Sequence, residues 1–224
     1  MPNEGLDEAI AQMGRKLGTL YWALWQEVVF LHIKWAECNE LFHTTPDRVD
    51  LLNQAAPAHF SIMQEVYREG VILHIARLTD RVTSPGKGSR ENLTIRALPD
   101  LVQNPQSKAA IELRVQTAVR LSAACQDWRN RRLAHRDRLL ALSNYDPANK
   151  VMPLDDMSRK ILNDAVEALE LVLNEISERL TGSSLHFRNV HTCGGASVLL
   201  HVLKEGLQVQ AIREERWSHG DFGT

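Results

Sequence analysis

Apolar side chains recur at spacings of three and four along most of the chain, with polar residues between them. That period lets an α-helix bury one face. It is clearest from about Asp7 to Leu41, where Leu17, Leu20, Tyr21, Leu24, Trp25, Val28, Leu31 and Trp35 fall in line. Trp22, Trp25 and Trp35 sit in this first predicted helix, as core or as a subunit interface. A second helix is predicted to start at Thr45-Pro46-Asp47, with Thr45 as N-cap, Pro46 at the first position and an acid in the first turn. Its apolar positions are Val49, Leu52, Phe60, Met63, Val66, Ile72, Leu73, Ile75, Ala76 and Leu78. Pro57 predicts a kink or short break within it, and the turn-rich run from Ser84 to Ser89 predicts a stop near Asp80.

Leu93 to Leu101 has room for one short turn before Pro99. A third long helix is expected from Pro105 to about Leu142, burying Ile111, Val115, Val119, Leu121, Cys125, Trp128 and Leu133. A fourth opens near Asp155-Asp156 and stops at Gly182, with Ile161, Val166, Leu169, Leu171, Leu173 and Ile176 on its apolar face. Beyond it, Ala196 to Leu203 reads as a short fifth helix, and the terminal WSHGDFGT as frayed. Neither repeats nor strand-like alternation stand out. The pattern predicts an all-α fold, a four- or five-helix bundle of long antiparallel helices. The organisation expected is a helical domain over 1–182 and a C-terminal extension over 183–224.

Composition adds limits. In 224 residues, 44% are hydrophobic, enough for a sizeable core. The formal net charge is -2, so nucleic acid could be held only by a local basic patch. Cys38, Cys125 and Cys193 are odd in number, widely spaced and without a CxxC pair, which suits a reducing compartment. The acidic opening MPNEGLDEAI carries no signal-like apolar run, and charges interrupt every apolar stretch. A cytoplasmic protein with no membrane partner is the expectation.

The densest chemistry lies in Arg129 to Arg138, where Arg129, Arg131, Arg132, Arg136 and Arg138 surround Asn130, His135 and Asp137. Cations also favour the negative end of a helix dipole, and charge runs commonly face solvent. Together, however, the residue types suit RNA cleavage. Arginine holds phosphate with a permanently charged planar fork, and histidine exchanges a proton near neutral pH. Neither role needs a metal. On an ideal helix Arg129 and His135 lie roughly 120° apart, so the helix must distort, the arginine arm must reach, or a two-fold partner must help.

The segment RNRRLAH, Arg129 to His135, resembles the Arg-x4–6-His motif of the HEPN superfamily (higher eukaryotes and prokaryotes nucleotide-binding). HIARLTD at His74 to Asp80, ENLTI at Glu91 to Ile95 and RNRRLAHRD at Arg129 to Asp137 together look like its abortive-infection-type branch, over roughly residues 15 to 180. The resemblance implies a homodimeric helical bundle in which two motifs form a shared RNA-cleaving cleft. It implies a metal-independent endoribonuclease without cofactors, in phage defence, a toxin–antitoxin system or RNA processing. Some relatives of this kind are inactive and bind RNA, nucleotide or protein instead. It gives Arg129 and His135 as the catalytic pair and Asn130 as helper. Arg77 and Asp80 either line the cleft or form a capping or inter-helix ion pair. Arg131, Arg132, Arg136 and Arg138 are RNA-binding candidates. Asp137 either orients His135 of another subunit or neutralises nearby arginines; it stands where some toxin members have tyrosine. Implied partners are single-stranded or structured RNA and a cognate antitoxin or nucleotidyltransferase.

His186, His191, Cys193 and His201 match no zinc spacing. Lys87 follows Gly86 in a loop that lacks the earlier glycine of a phosphate-binding P-loop.

Overall fold

The computed structural model describes residues 4–84, 90–143, 145, 151–184 and 194–219. These residues form α1 (Glu4–Met13), α2 (Arg15–Phe42), α3 (Pro46–Ala55), α4 (Pro57–Leu78), α5 (Pro105–Leu121), α6 (Ala123–Trp128), α7 (Arg138–Leu142), α8 (Arg159–Thr181) and α9 (Ala196–Ser218). Two single 3-10 turns, Ile95–Ala97 and Pro99–Leu101, precede α5, and a π-helical turn, Arg129–Leu133, follows α6. Thr83 and Glu91 make an isolated antiparallel bridge, and no strand forms among the described residues.

The all-α expectation holds, but the count of four or five helices does not: nine α-helices stand among the described residues. Each division has a local cause. The first predicted helix breaks at Gly14, whose φ of 78° is left-handed. That break lets α1 fold back on α2, so closely that a Cβ on Gly18 would lie 2.4 Å from the Ala9 carbonyl oxygen. The second breaks before Pro57, which cannot donate to a continuing helix. Thr45 holds the N-cap position of α3 in extended backbone, yet its hydroxyl makes no capping bond; Pro46 presets the first turn alone. The third divides at the buried Ser122 and again at the π turn.

The chain groups into two compact units. One comprises Met1–His32 and Glu69–Asn189, the other Ile33–Arg68 and Val190–Thr224. In the first, α5 packs along α8, and Leu24, Leu31, Ile72, Ile75, Ile111, Leu162, Leu169 and Leu173 are fully buried. Each such side chain contributes roughly 1.5–3 kcal/mol. Ser158 caps α8, starting it later than Asp155, and Gly182 ends it in the left-handed conformation. In the second unit α9 packs on α3. It spans 23 residues, far beyond the short helix expected, and Val198, Val202, Val209, Ile212 and Trp217 are exposed. Its first backbone N–H, at Ala196, donates to Glu37 Oε2 at 2.6 Å. Val66, Leu73 and Leu171, expected in the core, are exposed. Trp35 is buried, while Trp22 and Trp25 are half-buried and stack on each other at 4.8 Å.

Candidate functional site

The last four carbonyls of a helix lack partners within it, and at the end of α4 other segments supply them. Ile75 O accepts from the Thr79 N–H at 3.2 Å and from its hydroxyl at 2.9 Å. Ala76 O accepts from Gln126 Nε2 at 2.6 Å, and Arg77 O from the Asp80 N–H at 3.3 Å. Leu78 O accepts from the buried Thr94 hydroxyl at 2.9 Å. Thr94 also reaches Asp80 O, and Asn92 Nδ2 donates to Arg81 O. The HIARLTD and ENLTI segments and the helix leading into Arg129 thus meet at one helix end.

From Trp128 onward the helix widens. Ala134 N–H donates to Arg129 O at 2.8 Å, an i to i+5 closure that defines the π turn. Both sides of the turn are anchored. The buried Trp128 donates Nε1 to Asp155 O at 2.8 Å. Arg131 donates to Asp127 at 3.1 Å and to Met152 O at 2.6 Å, and pairs with Asp137 at 3.5 Å.

Arg129 emerges at the start of this turn. Its Nη1 donates to Asp80 Oδ2 at 2.7 Å, and Gln126 Oε1 lies at 3.4 Å. Asp80 Oδ1 accepts the Arg81 backbone N–H at 2.9 Å, so both carboxylate oxygens are engaged. These residues wall a cleft of about 410 Å³ lined by Thr79, Asp80, Arg81, Thr83, Ser84, Asn92, Arg96, Gln126, Arg129 and Asn130. Arg96 is held at its edge by Nε, which donates to Thr79 O at 2.8 Å.

Of the candidates from the sequence, Asp80, Arg129 and Asn130 share this cleft. His135 does not line it. The imidazole is exposed, two residues past the π turn, with no polar partner among the described residues. Arg77 is exposed and pairs at 3.5 Å with Glu27, which also holds the buried His74 at 2.8 Å. Asp137 caps α7, accepting from the N–H groups of Leu139 and Leu140. The Leu140 and Leu139 amides, with Arg131, hold its carboxyl below the usual range. The Arg132 guanidinium lies 4.9 Å from the Trp128 ring centre and 3.9 Å from Glu69. Arg136 and Arg138 are exposed.

Sequence reasoning missed Arg81, Arg96 and Gln126. The signals were slight: Arg81 follows HIARLTD, Arg96 follows ENLTI, and Gln126 precedes Arg129 by three residues on one helix face. Cys125, near the motif, is fully buried, and burial pushes its thiol up to about 12, so it stays protonated. Burial likewise pushes Cys38 up to about 11. Among the described residues no group of three or more His, Cys, Asp or Glu side chains could hold a metal ion. His186, His191 and Cys193 lie outside the described residues, as do Gly86 and Lys87; His201 sits on α9 beside Glu205 at 3.3 Å. No described helix is long and apolar enough to cross a membrane.

The model of the family described as HEPN_AbiU2 (AbiU2) matches residues 15–192. No curated protein and no solved structure matches the chain.

Proposed function

The chain belongs to the AbiU2-type branch of the HEPN superfamily, and from that premise we propose that it is a metal-independent endoribonuclease acting through Arg129 and His135. The observation that carries this reading is the π turn, which starts at Arg129 on the wall of a polar cleft and leads to the exposed His135. Such turns are rare within helices and concentrate at functional sites.

The chemistry follows from the groups. The substrate's 2′-hydroxyl attacks the adjacent phosphorus and gives its proton to His135. The bond from phosphorus to the 5′-oxygen breaks, and that oxygen takes up a proton. The products are a 2′,3′-cyclic phosphate and a 5′-hydroxyl. Arg129 stabilises the charge that builds on the non-bridging oxygens, and Asn130 is a neutral donor beside it. Arg132, Arg136 and Arg138 contact neighbouring phosphates; Arg131 is committed to Asp127, Asp137 and Met152. The cleft offers three guanidiniums and one carboxylate that already accepts two hydrogen bonds, a donor set for an anion rather than a cation.

A homodimer completes the site. In a closed two-fold contact a second copy of the motif faces the first, and one histidine takes the 2′ proton while the other supplies the leaving oxygen. Sedimentation equilibrium at micromolar protein should give twice the chain mass; a monomer throughout that range would remove the composite site. The setting proposed is cytoplasmic, in phage defence or a toxin–antitoxin system, with an antitoxin or nucleotidyltransferase as partner.

The test of the activity is cleavage of end-labelled RNA in EDTA, with a cyclic phosphate at the new end and DNA left intact. A second reading, a binding domain without catalysis, has its own support: Asp80 sits on Arg129, and His135 stands outside the cleft. Inertness on varied RNAs, with binding retained, would favour it.

A further inference from the structure

We propose that the cleft beside Arg129 seats one backbone phosphate of RNA between Arg81, Arg96 and Arg129, which adds two positioning arginines to the ribonuclease-like reading on which it rests. Among the described residues these three side chains and Asp80 are the charged groups lining the cleft, and they sum to a formal charge of +2. The whole chain carries -2, so this is a local concentration of positive charge against the global balance. Gathering like charges at one cleft is unfavourable unless an anion enters.

The site is built rather than incidental. Arg81 and Arg96 are fifteen positions apart and come to the same wall because the chain folds back at the Thr83–Glu91 bridge. Arg81's carbonyl is tied by Asn92 Nδ2 at 2.8 Å. Arg96 is tied twice: its backbone N–H donates to Thr94 Oγ1 at 3.3 Å, and its Nε to Thr79 O at 2.8 Å. Among the described residues neither Nη group of Arg96 has a partner, which leaves both for a ligand on an already ordered side chain and lowers the entropy lost on binding. Among the described residues Arg129 uses only Nη1 on its partners, so its remaining N–H groups can grip two oxygens of one phosphate. At about 410 Å³ the cleft lies within the range of roughly 300–1,000 Å³ of small-molecule and cofactor sites.

The experiment measures binding apart from cleavage. A fluorescent 2′-O-methyl RNA 12-mer has no nucleophile and cannot be cut. Its affinity is followed by polarisation from 50 to 200 mM salt for the native protein, Arg81→Gln, Arg96→Gln and, as a control of equal charge change, Arg120→Gln on the exposed side of α5. Each cleft variant should bind several-fold more weakly and lower the slope of log affinity against log salt by about 0.7, one single-strand phosphate contact. The control should change neither. Among the described residues the Arg81 side chain makes no hydrogen bond or ion pair, so Arg81→Gln tests the seat even if Arg96→Gln proves unstable. Parental affinity and slope in Arg81→Gln would overturn the proposal, as would absence of oligonucleotide binding at 50 mM salt. Adenosine 5′-monophosphate competing as well as the 12-mer would overturn it in favour of a free-nucleotide site. Weakened binding by the cleft variants, with no cleavage by the native protein, would uphold the seat and defeat only the ribonuclease reading.

Discussion

Arg129 and His135 bracket a single helical turn, yet they live in different surroundings. The Arg129 side chain is 29% exposed and tied to Asp80 and Gln126, which in turn cap the end of α4 or bind the segment after it. His135 stands in solvent beyond the turn. The entropy of ordering Arg129 is therefore met during folding, whereas that of His135 remains to be met when something binds. One end of the motif belongs to the architecture of the chain, and the other is open to solvent.

The sharpest test of this contrast is to remove each end in turn. His135→Ala should cut RNA cleavage by about 10²–10⁴-fold, the usual worth of a proton-transfer group, and leave the melting temperature unchanged because the side chain is exposed. Equal cleavage rates for the two proteins would take His135 out of the mechanism. Arg129→Ala should cost roughly 10²–10³-fold in rate and also about 1–2 kcal/mol in stability, since it leaves Asp80 half-buried without its partner. Asp80→Asn should lower stability by a similar amount, and the double variant should show clear coupling between the two. Additive effects in urea unfolding would mean that the 2.7 Å pair is energetically idle.

Smaller effects separate architecture from chemistry. Gln126→Leu leaves the Ala76 carbonyl with only the long 3.4 Å bond from the Thr79 hydroxyl among the described residues and should lower the melting temperature by roughly 2–8 °C, about 1–2 kcal/mol for a chain of this size. RNA binding should persist; its loss would show that Gln126 touches the ligand. The mildest prediction lies away from the motif, where Glu175 on α8 receives Arg114 from α5 and Arg179. Burial raises its pKa, but the hydrogen bonds from Arg179 and Arg114 outweigh burial and hold it below the usual value of 4.5. With the folded value lowered, the stabilisation is complete above pH 4.5 and fades as acid protonates the folded carboxylate. Glu175→Gln should therefore cost about 0.5–1 kcal/mol at pH 7 and less at pH 3 in denaturant titrations. Cleavage should be untouched, which makes this variant the control for the stability loss in Arg129→Ala.

How far the sequence could be read depended on which interaction decided each feature. Helix faces were legible at Leu24, Leu31, Ile72, Ile111 and Leu169, because spacing alone sorts buried from exposed positions. The stop at Gly182 and the break before Pro57 were legible too, since those residues restrict the backbone by themselves. The break at Gly14 was not: glycine tolerates a helix interior, and what selects its left-handed conformation is the tight contact of Ala9 on Gly18. α9 was undercounted because its outward apolar residues blur the amphipathic pattern, while its helix-forming charged residues read as a polar tail. Around the site, Arg129 and Asp80 were recognisable as chemistry, but their pairing across 49 positions was not. Arg96 stayed hidden because its importance comes from Thr79 O, a backbone atom that no sequence pattern marks.

The closure from Arg129 O to the Ala134 N–H has a further consequence when the helix is read as a rotating pointer. A ring closed at i+5 holds one residue more than an α turn, so the π turn is in effect an insertion absorbed by the helix itself. Cut one residue from it, say Ala134, and the ring can close at i+4, with the chain beyond kept in nearly the same direction. A stretch with four residues between arginine and histidine in regular α geometry then points the two side chains with nearly the phase of five residues wound through a π turn. Angular offset is thus what such a segment can hold constant while its number of residues changes by one.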